Sequence, residues 1–197
     1  MTITRQQQRH GTVAKVIDGA GELFRRKGFA DTTIRDIAAA CNVSIGTVMS
    51  VGDKNALLIA SFDRLIQSIH DERCVGTATS GGNCVDRVAA LFDPFVDLFT
   101  GDAGLARAYA SVLIAGAHDS IAFTELSNAL IEEIEATLQD TTGADSHQIT
   151  PVAEGLYFAY IGRLFTWSSR DDDNAAALRQ SLRRIVAAIC PDEERSA

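Results

Sequence analysis

The chain has 197 residues, 46% hydrophobic and 22% charged, with a formal net charge of −8. That apolar content supplies an ordinary core and excludes a disordered chain, and the length suits a small domain joined to a larger one. No stretch of about 18 uninterrupted apolar residues occurs, and no apolar run precedes a small-residue cleavage site, so a soluble cytoplasmic protein without a membrane partner is expected.

Helical periodicity runs through nearly the whole sequence. Over 12–27, Val13, Val16, Ile17, Ala20, Leu23 and Phe24 recur at helical spacing and stop at Gly28, a residue suited to the left-handed position after a helix. Thr33 and Asp36 then form the carboxylate version of a capping box that opens a second helix carrying Ile37, Ala38 and Cys41 inward. Asn42 tolerates the left-handed backbone of a sharp turn, and Ser44 caps a third short helix ending near Ser50. Two short helices joined by a tight turn have the layout of a helix-turn-helix.

From Asp53 a longer helix places Leu57, Leu58, Phe62, Leu65, Ile66 and Ile69 on one stripe. The segment GTATSGGN at 76–83 reads as a loop, and helical patterns resume at 84–100, 103–117, 120–139, 149–168 and 174–189. Pro94 is expected to kink or start a helix. The expected fold is therefore all-α with about nine helices. It comprises a three-helix domain at 1–54 and a larger helical domain at 55–197.

Charge divides along the same line. Residues 1–54 hold eight Lys and Arg against five acids, a balance of +3, while the other ten bases and twenty-one acids give −11. A basic head on an acidic body suits a protein whose head alone meets phosphates. A solvated acidic surface without further purpose is the competing reading of charge alone.

Chemistry beyond binding finds no support. His10, His70, His118 and His147 are isolated, no nucleophile motif or phosphate-binding glycine loop occurs, and neither catalytic residues nor a metal nor a cofactor is expected. Cys41, Cys74, Cys84 and Cys190 lie far apart and read as small buried hydrophobes. Only Cys74 and Cys84, on either side of the 76–83 loop, suggest a redox pair.

The stretches Leu23-Phe24-Arg25-Arg26-Lys27-Gly28-Phe29, Thr33-Ile34-Arg35-Asp36-Ile37-Ala38 and Val43-Ser44-Ile45-Gly46-Thr47-Val48 closely resemble the DNA-binding signature of the TetR family of transcriptional regulators, and Lys54 before Ala56-Leu57-Leu58 extends the match. The resemblance covers roughly 9–58. It implies a third helix in the major groove, with Ile45, Gly46, Thr47, Met49 and Ser50 near DNA. Ile45, Met49 and the Thr47 methyl suit thymine methyl groups, and the Thr47 and Ser50 hydroxyls suit base edges or phosphates. Arg35 matches a position that reads guanine, Ser44 caps the recognition helix, Thr33 and Lys54 hold phosphates, and Arg9 belongs to an N-terminal arm with Arg5. The chain departs from the family pattern at Met49 and Val51-Gly52, where a Tyr and a further aromatic are usual, and the run from Met49 to Lys54 is one residue short.

The resemblance further implies that 55–197 senses a small molecule and dimerises through its last two helices, so that a ligand releases a homodimeric repressor from a palindromic operator. Leu156, Phe158, Ile161, Leu164, Phe165 and Trp167 occupy more of the 149–168 helix than one packing face requires. A pocket for a largely apolar effector would be walled by Phe62 and Ile66, by Phe92, Phe95 and Phe99, by Tyr109 and Leu113, and by Phe123 and Tyr157. His118 and Tyr160 would add polar tips. The alternative is a TetR-like ligand-binding or interaction module whose specific DNA binding is weakened or lost.

Overall fold

The computed structural model describes residues 5–75, 82–116, 118–143, 145–169 and 174–190, without the side chains of residues 5, 6, 74 and 75. The helices are α1 (Arg5–Lys27), α2 (Ile34–Ala40), α3 (Ile45–Val51), α4 (Lys54–Val75), α5 (Cys84–Gly101), α6 (Ala103–Ile114), α7 (Glu125–Thr142), α8 (Ser146–Ser168) and α9 (Ala175–Ile189), with one 3₁₀ turn at Ile121–Phe123. Strands are absent among the described residues, as the helical periodicity requires. No single described helix is long and apolar enough to cross a membrane.

The chain forms two compact units. One comprises residues 1–65 with 104–120, and the other 66–103 with 121–197. In the first unit, Val16, Ala20 and Phe24 of α1, Ile37 of α2, Val48 of α3 and Leu58 and Phe62 of α4 are all buried. Each element begins and ends for a local reason. Gly28 has φ +88° and its N–H donates to Phe24 O at 2.9 Å, closing α1 with a backbone that a side chain would strain. Asn42 takes φ +49° between α2 and α3, whose axes turn by 106°. Gly19 serves packing instead, since a Cβ there would lie 2.4 Å from Cys41 Sγ.

α1 starts seven residues before the expected position 12. Its first turns carry Gln and Arg, good helix formers, with Gln7, Gln8 and Arg9 exposed, so apolar periodicity is blind to them. The expected 120–139 helix is a 3₁₀ turn followed by α7, which runs to Thr142 and ends on Gly143 at φ +62°. α8 likewise begins at Ser146 rather than 149. α5 runs through Pro94 without starting there.

The second unit is built on Val88, Phe92 and Val96 of α5, Leu130, Ile134 and Leu138 of α7, Leu156 and Leu164 of α8, and Leu178, Leu182 and Val186 of α9, all buried. α5 and α9 are antiparallel, because Arg179 pairs with Asp93 at 3.6 Å and with Asp97, while Arg183 pairs with Asp86. The end of that ladder gives Cys84 a sulfur neighbour that the sequence reading did not pair with it. Cys84 Sγ lies 2.9 Å from Sγ of Cys190, the residue that follows α9. The side chain of Cys74 lies outside the described residues.

Candidate nucleic-acid interface and ligand-sensing residues

The second and third helices present one surface because their starts are fixed by short polar side chains. At α2, Thr33 Oγ1 accepts from Asp36 N at 3.2 Å, while Thr33 N and its hydroxyl both donate to Asp36 Oδ2 at 2.8 Å. Lys27 Nζ donates to the same oxygen at 2.8 Å. The Lys27 bond, then the Thr33 backbone and hydroxyl bonds, pull the Asp36 carboxyl down to about 2. The Thr33 proton is thus already given to a carboxylate, and a phosphate would have to displace that bond.

At α3, Ser44 Oγ accepts from Thr47 N at 3.0 Å and shares a hydrogen bond of 2.9 Å with Thr47 Oγ1. The cap leaves Ile45 47% and Met49 51% exposed, on either side of Gly46 and beside Ser50. Val48 is wholly buried and anchors the helix from beneath. Two large apolar side chains kept in water by a helix with a buried anchor form a surface suited to apolar groove edges. The hydroxyl of Ser50 donates to Thr47 O at 2.7 Å.

Arg35 is exposed on the second residue of α2, and neither it nor Arg9 makes an ion pair among the described residues. Arg25 with Glu22, Lys27 with Asp36 and Arg64 with Asp18 are paired instead. Arg9 borders an open groove of about 230 Å³ together with Gln8 and Thr12 of α1 and Thr47 and Ser50 of α3. The groove therefore joins three residues expected at DNA, Arg9, Thr47 and Ser50, with two that sequence reasoning missed. Gln8 and Thr12 carry no motif, and the available signal was the polar run Gln6-Gln7-Gln8-Arg9-His10 ahead of the apolar stripe.

Lys54 has a structural bond as well. Its Nζ donates to Ala30 O at 3.1 Å and stands 4.4 Å from the centre of the Phe29 ring. It ties the first residue of α4 to the turn after α1.

The residues expected to sense ligand divide between the two units. In the first, Phe62 and Tyr109 stack with ring centres 4.4 Å apart, and Leu113 is half-buried. Beside them lies a buried polar group absent from the sequence reading: Asp63 Oδ1 accepts from Ser120 Oγ at 2.7 Å and from the Tyr109 hydroxyl at 3.1 Å. His118 Nε2 lies 3.6 Å from Asp53 Oδ1, so its polar tip has a partner within the protein.

In the second unit, Phe92 stacks on Tyr160 at 4.5 Å, Phe95 meets His70 at 5.1 Å, and Ile66, Phe99 and Tyr157 are buried. Phe123, in contrast, is 38% exposed. Burial pushes the Tyr157 and Tyr160 hydroxyls up, so both keep their protons and can donate. An unanticipated charged cluster adjoins them: Glu133 pairs with Arg73 and lies 3.3 Å from His70 Nδ1, and Arg73 donates to Leu91 O at 2.9 Å. Its members come from α4 and α7, 60 and 63 residues apart, a separation that no local pattern reveals.

Comparison with known proteins converges on one group. Residues 16–50 match the family described as bacterial regulatory proteins, tetR family. No characterised protein sequence matches the chain significantly. Among solved structures, FadR of Thermus thermophilus, a TetR-family transcriptional repressor in complex with lauroyl-CoA, superposes with TM-score 0.65 at 21% identity, covering 94% of this chain and 98% of its own. A TetR transcriptional regulator from Rhodococcus sp. RHA1 gives 0.64 at 16% identity, covering 97% and 100%. FadR of Bacillus subtilis, in complex with stearoyl-CoA, gives 0.52 at 18% identity, covering 88% and 96%. These likenesses establish the fold.

Proposed function

Because residues 16–50 match the tetR-family model and the chain has the fold of such regulators, we propose that this protein is a ligand-responsive transcriptional regulator, a repressor released from a palindromic operator by a small molecule. One observation carries the reading. The exposed face of α3, held up by buried Val48 and the Ser44 cap, shares a groove with Arg9, which makes no ion pair among the described residues, in an otherwise acidic chain.

On this reading residues 1–54 are the DNA-binding domain and 55–197 the ligand-binding and dimerisation domain. Ile45, Met49 and Thr47 meet base edges, Gly46 permits close approach of the backbone, and Arg35 makes the bidentate contact to guanine. Arg9, Ser50, Lys54 and the α2 start capped by Thr33 hold phosphates. The −11 of the remaining chain keeps the body off the duplex. The protein acts in the cytoplasm as a homodimer, with the heads spaced for successive major grooves about 34 Å apart.

The effector is largely apolar, given the aromatic residues Phe92, Phe95, Tyr157 and Tyr160 in one unit. The acyl-CoA complexes of two structural relatives are consistent with that chemistry. Ligand need only favour the state in which α4 holds the heads out of register. No catalytic step is required of any residue.

Selection of bound fragments from random duplex DNA with the purified protein tests the reading. Recovery of a two-fold symmetric site whose affinity falls with salt is expected. Failure to enrich any site would leave the ligand-binding module, a result to which the replacement of aromatic residues by Met49 and Val51-Gly52 would then be relevant.

A further inference from the structure

Cys84 is the first residue of α5, and Cys190 follows the last residue of α9. The antiparallel packing of these helices brings together two thiols 106 residues apart, with Sγ atoms at 2.9 Å. The register does not depend on the sulfurs themselves. Arg183 with Asp86, then Arg179 with Asp93 and Asp97, hold α9 along α5 from the same end inward. A disulfide needs its sulfurs about 2.05 Å apart, so a side-chain movement of about 1 Å closes the bond.

We propose that Cys84 and Cys190 form a thiol modification site, which a hydroperoxide converts into a reversible intramolecular disulfide tying the start of α5 to the end of α9. The two thiols are inequivalent. Cys84 is half-buried at the first residue of α5, so its sulfur is the one that a peroxide reaches. Cys190 is buried, and its hydrogen bond with Cys84, together with that burial, pushes its thiol up. Cys84 is the attacking sulfur and Cys190 the resolving one.

In the first step the Cys84 sulfur attacks the terminal peroxide oxygen and the O–O bond breaks. The Cys84 proton passes to the departing alkoxide, or to hydroxide when the oxidant is hydrogen peroxide, leaving a sulfenic acid and one molecule of alcohol or water. In the second, the Cys190 sulfur attacks the Cys84 sulfur and expels hydroxide, which takes the Cys190 proton and leaves as water. The two sulfurs lose two electrons in total and the hydroperoxide gains them. A dithiol reverses the reaction by thiol–disulfide exchange.

The purified full-length protein is treated with stoichiometric hydrogen peroxide, alkylated and mapped by mass spectrometry without reduction. A cross-linked peptide pair containing Cys84 and Cys190, lighter by two hydrogen masses and split by dithiothreitol, is expected. Closing so long a loop should also raise the thermal midpoint by several degrees. Cys74→Ser should leave the link intact, and Cys190→Ser should arrest Cys84 as a sulfenic acid that dimedone captures. The proposal fails if both thiols remain alkylatable, if Cys84 is carried to sulfinate in the wild type, or if Cys84 is joined to Cys74. Should Cys190→Ser not fold, the wild-type map decides the matter alone.

Discussion

Arg35 shows what a single residue contributes at the surface of the head. It lies one position beyond the first residue of α2, exposed and without an ion pair among the described residues. Replacing Arg35 by Ala is expected to weaken operator binding by about 1 to 3 kcal/mol and to relax preference at one base pair. Fluorescence anisotropy on the selected site and its single-base variants, at fixed salt, measures both. Asp36 next to it offers a pH test. Its carboxyl is held at about 2 against an ordinary 3.8, so the folded state favours the ionised form. The resulting stability is complete above 3.8 and is lost as pH falls through about 2. The advantage of the wild type over Asp36→Asn in denaturant melts should be constant near neutrality and should shrink across that acid window. Because Asp36 is at the surface, the effect should also shrink in high salt. The Thr33–Asp36 box was legible in sequence because its partners are three residues apart, whereas the Lys27 bond to the same oxygen spans nine residues and was not.

Among the elements, the close approach of α1 to the end of α2 is the most exposed to a small change. A Cβ at Gly19 would stand 2.4 Å from Cys41 Sγ, and that sulfur is itself buried. Gly19→Ala should therefore overpack the joint and cost about 1 to 3 kcal/mol, more than the few tenths to 1 kcal/mol that Ala gains over Gly in a helix. Cys41→Ala in the same chain removes the obstructing sulfur and should recover most of the loss. Urea denaturation of the two single variants and the double variant gives the coupling. The elements themselves were readable wherever a buried stripe repeats, as in α1 after residue 12, α4 and α9. Their starts were missed at α1 and α8, where the helix projects polar side chains into solvent.

For the whole molecule, α8 is the deciding element. Leu156, Leu164 and Trp167 are buried in their own unit, while Phe158 remains 64% exposed on another face of the same helix. On the proposed homodimer reading, this exposed Phe is a surface that a second copy would cover. Phe158→Glu is expected to shift the protein from dimer to monomer in sedimentation equilibrium, and to reduce affinity for the symmetric site far more than for a half-site. A variant that remains fully dimeric would move the interface elsewhere. The surplus of apolar residues on this helix was visible in sequence. Which of them faces outward was not, since Ile161 and Phe165 are half-buried on intervening positions.

The sequence alone determined the all-helical class, the Gly28 and Asn42 turns, the two capped short helices and the basic head. Each depends on side chains within about four residues of one another, or on summed charge. Only the tertiary structure decided that Cys84 meets Cys190, that Asp63 is satisfied by Tyr109 and Ser120, and that Glu133 gathers Arg73 and His70. These partners are 46 to 106 residues apart in chain, and which of many possible encounters occurs is set by how helices pack, an outcome of shape and burial that no local pattern encodes.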